Sequence, residues 1–155
     1  MVKYLNNPIL LLIFRLIVGF VFLSFGASKI AIADKFANEI GNYSLMPEFS
    51  LNFFALILPW IEVVVGIMMI LGVRLRANAV ISIGLLSVFI LAVISAMIRG
   101  LDINCGCSST NPQKVGFPKI LENSGLIILS LVIAFFPQSK LSLESYIRNN
   151  AIEKT

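Results

Sequence analysis

Four apolar runs, each long enough to cross a lipid bilayer, dominate this chain of 155 residues. They extend from about 9 to 32, 53 to 71, 77 to 98 and 120 to 136. At 1.5 Å of rise per residue, about 20 helical residues cover a hydrocarbon core roughly 30 Å thick. Lipid offers an open backbone no hydrogen bonds, so such runs fold as helices that satisfy their own N–H and C=O groups. The expected fold is all-α: an integral membrane four-helix bundle over residues 1–137, followed by a polar tail over 138–155. A composition 58% hydrophobic and 13% charged lies outside the range of soluble domains. For the first run a signal peptide is the rival reading, with Lys3 as its basic end and Ala31 to Ala33 as its cleavage site. Arg15 would interrupt the apolar core of such a peptide and the run is too long for one, so a retained span is preferred.

The net charge of +4 does not indicate nucleic acid, because the basic residues are scattered singly instead of forming a stripe with aromatics between them. They read better as topology signals. Lys3 precedes the first span, Arg74 and Arg76 fill a very short second connection without an acid, and Lys140, Arg148 and Lys154 follow the fourth span. The two longer connections, about 33–52 and 99–119, mix lysines with Asp34, Glu39, Glu48 and Asp102. The positive-inside rule then puts both termini in the cytoplasm and both long loops outside. For a bacterial inner membrane that side is the periplasm, where thiols can be oxidised. In the first outer loop, Asp34 is positioned to cap a short helix with Phe36, Ile40 and Tyr43 on one face, ending before Pro47 and lying in the membrane interface.

Cys105 and Cys107 flank Gly106 in the second outer loop, a stretch rich in Ser, Asn, Gly and Pro. Residues two apart can approach disulfide distance if the chain turns, and a glycine between them permits the angles. A ring so small is strained, and strained exposed disulfides are the easily reduced, exchanging kind. It closes almost no loop, which argues against a purely structural bridge. Inert thiols and metal capture remain open as alternatives, although a closed zinc site needs four ligands and the chain contains no histidine. Arg99, Lys114 and Lys119 would favour a thiolate and Asp102 would oppose one.

Arg15 in the first span and Glu62 in the second are charges at membrane depth. Counted from the expected cytoplasmic ends, they lie about 9 Å and about 14 Å deep, within reach of an arginine side chain. They are expected to pair, because an unpaired charge at that depth is costly. A sharper reading makes Glu62 a proton donor or acceptor for a membrane cofactor, with Trp60 as one wall of a flat apolar quinone pocket. Pro59 is expected to free a backbone carbonyl and kink the second span. Ala92 and Ala96 on the third span allow a close helix contact, within one chain or between chains, so the oligomeric state is left open.

Several strings carry a resemblance: Arg15 with Gly19, Phe25-Gly26-Ala27-Ser28-Lys29 leading to Phe36 and Tyr43, Leu58-Pro59-Trp60-Ile61-Glu62 with Gly66, and Leu71-Gly72. The most specific is Arg99-Gly100-Leu101-Asp102-Ile103-Asn104-Cys105-Gly106-Cys107. From about Pro8 to Phe136 the chain resembles the DoxX and MauE-like membrane proteins, the latter being methylamine-utilisation proteins linked to disulfide maturation. Ser108 and Ser109 depart from the Phe and Gly that usually follow the cysteines in that family. The resemblance implies a four-helix membrane protein that exchanges electrons with an extracytoplasmic thioredoxin-like partner. Its layout is also similar to that of the quinone-linked disulfide-forming membrane enzymes, which use two cysteine pairs where this chain has one. The expected function is thus a membrane thiol:disulfide oxidoreductase with Cys105 and Cys107 as the redox couple and a quinone as electron carrier. The alternative is a noncatalytic membrane anchor or assembly subunit for an extracytoplasmic redox enzyme. A small-molecule carrier is disfavoured, because four spans without a broken-helix repeat offer little of a transport path.

Overall fold

The computed structural model describes residues 8–43, 47–100 and 116–136. Its elements are α1 (Pro8–Ala31), α2 (Ala33–Asn42), α3 (Glu48–Leu71), α4 (Leu75–Ile98) and α5 (Phe117–Phe135). Four of them, all but α2, are long and apolar enough to cross a membrane. The three helices of 24 residues are each about 36 Å long. Among the described residues there is no strand. Cys105, Cys107 and the tail from 138 onward lie outside the described residues.

The surface is that of a protein dissolved in hydrocarbon. Large apolar side chains face outward on every spanning helix, among them Phe20, Leu56, Leu91 and Ile128. In water so much exposed apolar area would drive association; in a bilayer it costs nothing. The interior instead collects small and polar residues, with Ala79, Ala96, Ser82 and Ser130 fully enclosed beside Val18, Met69 and Val93. Chain direction reverses between α3 and α4 through a short connection. Gly72 ends α3 in the left-handed region (φ 75°), its N–H reaching Met68 and Met69 carbonyls. Only a residue without Cβ adopts that angle freely. The next helix starts three residues later, and Asn78 Nδ2 secures the turn by donating to the Val73 carbonyl at 2.6 Å.

The tightest packing is between α1 and α3. A Cβ on Gly66 would stand 2.8 Å from the Gly19 carbonyl oxygen and 2.8 Å from the Leu23 nitrogen. One on Gly26 would stand 2.7 Å from the Pro59 carbonyl oxygen. The two backbones therefore touch directly at both levels, as small residues permit in membranes. These contacts also set the antiparallel register: Gly19 opposite Gly66, and Gly26 opposite Pro59 and Val63. Pro59 sits within α3, fully enclosed, where its missing N–H leaves one helix carbonyl without its usual donor.

The short amphipathic helix expected in the first long connection is α2, with Phe36 and Tyr43 buried against the bundle. The detail at its start differs from expectation. Ile32, not Asp34, is the N-cap, and no side chain caps it. Because α1 runs to Ala31 and only Ile32 breaks the helical path, Asp34 falls inside the first turn. There its charge still complements the helix dipole. The second spanning helix begins at Glu48, five residues before the apolar run, and α5 begins at Phe117, with Pro118 in the first turn where a missing N–H is harmless.

Since the obstructing atoms at Gly66 are backbone, Gly66→Leu should destabilise the bundle by about 1–3 kcal/mol or more. Gly84→Ala, where nothing lies within 4 Å, should leave stability unchanged or slightly raised. Denaturant unfolding of both variants in the same detergent checks the contrast.

Candidate functional site

At the end of the bundle that carries α2, a charged pair is enclosed among three helices. Lys29 in the last turn of α1 donates from Nζ to Glu62 Oε1 of α3 at 2.6 Å, and the two side chains are 8% and 13% exposed. Lys29 also lies over the Phe36 ring of α2, 4.9 Å from its centroid. The ammonium thus ties α1, α2 and α3 together. Glu62 Oε2 is buried and has no hydrogen-bond partner among the described residues. A carboxylate oxygen in that state retains an unfilled demand for a donor.

This arrangement corrects the expected Arg15 to Glu62 pair. Arg15 is buried, but its Nη2 donates to the Ile70 carbonyl at 3.1 Å. Ile70 stands in the last turn of α3, where carbonyls lack intrahelical donors and the dipole favours a cation. The cause is register. The glycine contacts place Arg15 level with Ile70, eight residues and about 12 Å along α3 from Glu62. Counting depth from the two helix ends overlooked that the helices overlap by different amounts at each end.

A cavity of about 400 Å³ opens beside the pair, lined by residues of all five helices. Phe22 and Phe25 of α1, Phe36 of α2, Phe53 and Phe54 of α3 and Phe89 of α4 give it aromatic walls. Its polar residues are few: Lys29, Glu39, Tyr43, Glu62 and Asn123. Asn123 is held by its Nδ2 donating to the Lys119 carbonyl at 2.7 Å. Lys119 is itself buried, paired with Glu122 at 2.7 Å and lying 5.6 Å from the Phe25 ring centroid. An apolar pocket with a handful of converging polar groups has the character of a small-molecule site.

Trp60, considered as a pocket wall, is elsewhere. It is 55% exposed on the outer side of α3 and does not line the cavity, whereas its neighbours Ile61 and Glu62 do. One helical step of about 100° carries the indole off the lining face. Sequence reasoning missed Lys29 as the partner of Glu62. A signal existed: Arg15, Gly19, Phe22, Gly26 and Lys29 recur at spacings of four and three, one face of a helix. Lys29 therefore belongs to the buried stripe at the opposite end from Arg15.

The connection that carries Cys105 and Cys107 leaves α4 and enters α5 at this same end of the bundle. At its start, the Arg99 guanidinium donates to the Tyr43 carbonyl. Tyr43 closes α2 and lines the cavity. The anchor of the thiol-bearing connection and one wall of the cavity are therefore hydrogen-bonded to each other.

The family described as "Methylamine utilisation protein MauE" matches residues 7–136. A methylamine utilization protein MauE of Paracoccus denitrificans is 29% identical over 136 residues, covering 86% of this chain and 73% of its own. The corresponding protein of Methylophilus methylotrophus is 29% identical over 150 residues, covering 94% and 79%. That of Methylorubrum extorquens is 28% identical over 133 residues, covering 84% and 72%. No solved structure matches the chain significantly.

The pairing predicts distinct double-mutant cycles. Lys29→Met should destabilise the bundle by about 3–5 kcal/mol by leaving a buried carboxylate unpaired, and adding Glu62→Leu should recover much of the loss. Arg15→Met and Glu62→Leu should be additive within about 0.5 kcal/mol. Unfolding midpoints of the single and double variants decide between the two partners.

Proposed function

Because the chain belongs to the methylamine utilisation protein MauE family, we propose that it is a membrane thiol:disulfide exchange component for an extracytoplasmic, thioredoxin-like partner. On this reading it serves methylamine utilisation, the process for which its relatives are named. It sits in a bacterial inner membrane with both termini in the cytoplasm and the Cys105 and Cys107 loop outside. The positive-inside distribution of Arg74 and Arg76 supports that orientation.

The observation that carries the proposal is the attachment of the thiol-bearing connection. Arg99 is bound to Tyr43, a wall of the enclosed site, and Cys105 follows Gly100 by five residues. Five residues reach no further than about 18 Å, and the seven to Cys107 no further than about 25 Å. Thiols tethered that close to a built pocket suit exchange better than a purely anchoring role. In the exchange, a partner thiolate attacks one sulfur of the Cys105 to Cys107 disulfide and a mixed disulfide forms. The partner's second thiolate then displaces it, leaving the partner oxidised and Cys105 and Cys107 as a dithiol. Two electrons and two protons have passed to this chain.

The test is a redox titration of the purified protein across a glutathione series, read by thiol alkylation and mass spectrometry. A reversible Cys105 and Cys107 couple well above about −300 mV is expected, since structural disulfides lie below that value. Thiols that never join, or a bond that glutathione never opens, would replace this reading with that of a noncatalytic anchor.

A further inference from the structure

The cavity beside Lys29 and Glu62 has the attributes of a site for one kind of ligand. It lies within the size range of small-molecule pockets, about 300–1,000 Å³, and its walls are aromatic and aliphatic. Phe53, Ile57 and Ile61 of α3 and Gly84 and Val88 of α4 line it while remaining exposed on the bundle surface. The opening therefore lies between α3 and α4, on the face bathed by hydrocarbon. A ligand that enters there comes from the lipid phase.

The polar end of the cavity restricts the ligand further. Lys29 Nζ has three N–H donors, and the contacts that define its position are one carboxylate oxygen and one ring face. Glu62 Oε2 is enclosed with no donor among the described residues. Glu39 is a second carboxylate on the lining. Two acids against one lysine repel a phosphate or carboxylate headgroup. The site fits a neutral head that accepts a hydrogen bond from Lys29 in one form and gives an O–H to Glu62 Oε2 in another.

We propose that this cavity binds the head of a lipid-soluble quinone, with Lys29 donating to a ring oxygen and Glu62 Oε2 accepting the hydroxyl of the hydroquinone. The inference deepens the exchange function proposed above and rests on it only for the source of electrons. The chain has two cysteines and no second pair to receive what the first collects. When the Cys105 and Cys107 dithiol closes to a disulfide, it releases two electrons and two protons. The quinone takes up both pairs and leaves as hydroquinone, so the step balances with no further reactant.

Binding can be measured without turnover. Trp60 is the single tryptophan and stands two residues, about 3 Å of rise, from Glu62; a quinone in the cavity should quench it. Full-length protein in phosphatidylcholine nanodiscs is titrated with decylubiquinone. Saturable quenching is expected for the wild type and equally for the Cys105→Ser/Cys107→Ser variant. Lys29→Met should weaken it about ten-fold or more, the loss of a hydrogen bond from a charged donor. Gly84→Phe fills the mouth of the cavity at a position with open space around it and should weaken binding comparably while keeping the wild-type unfolding midpoint. Arg76→Gln, remote from the cavity, should change nothing. Quenching that rises linearly without saturation, or saturable quenching untouched in folded Gly84→Phe, overturns the proposal. Displacement of the quinone on replacing phosphatidylcholine with phosphatidylglycerol also overturns it, in favour of a lipid headgroup site. Because the double serine variant retains the site, a failed redox titration of the thiols and a failed quinone titration are separate results.

Discussion

The direct contact of two helix backbones, α1 against α3, is the constraint from which the rest of the structure follows. Gly19 meets Gly66, and Gly26 meets the Pro59 carbonyl, with no room for a Cβ between them. In lipid there is no hydrophobic drive to bring helices together, so close dispersion contact must supply the attraction. Contact at two levels also removes the freedom to slide. Every polar side chain on the shared face then meets the partner that this register assigns to it.

That assignment accounts for the buried charges. A charge within the hydrocarbon is tolerated when something of opposite polarity answers it. At one end of the stripe Arg15 answers the unsatisfied carbonyl end of α3, through Ile70. At the other, Lys29 answers Glu62. The two solutions differ in what they leave over. A guanidinium on a helix terminus completes that helix, whereas a single ammonium on a carboxylate leaves one oxygen without a donor among the described residues. The spare oxygen at Glu62 borders the cavity of about 400 Å³, whereas Arg15 borders a pocket of only about 10 Å³, which separates a structural use of charge from one available to a ligand.

The connections outside the spans bring a second set of parts to the same end. The amphipathic α2 lays Phe36 over Lys29 and presents Tyr43 to Arg99. It thereby covers the polar end of the cavity and holds the start of the segment that carries Cys105 and Cys107. In the proposed exchange, water-exposed thiol chemistry and a lipid-facing electron carrier must come close without merging. A pocket that opens laterally between α3 and α4, under a helix that anchors the thiol loop, meets both requirements.

The sequence by itself determined that four helices span a bilayer, since length and apolarity suffice for that and lipid allows no other backbone arrangement. It also determined α2, through the one-sided spacing of Phe36, Ile40 and Tyr43, and singled out Cys105 and Cys107 by type and spacing. It identified Arg15 and Glu62 as the charges that needed partners but paired them with each other. Only the tertiary structure decided that Glu62 belongs to Lys29, that Trp60 faces away from the cavity, and that Ile32 instead of Asp34 opens α2. The physical reason is common to these points. Periodicity along one helix specifies which residues share a face, but the axial offset between two helices depends on where their backbones can touch, and that is a property of both surfaces together.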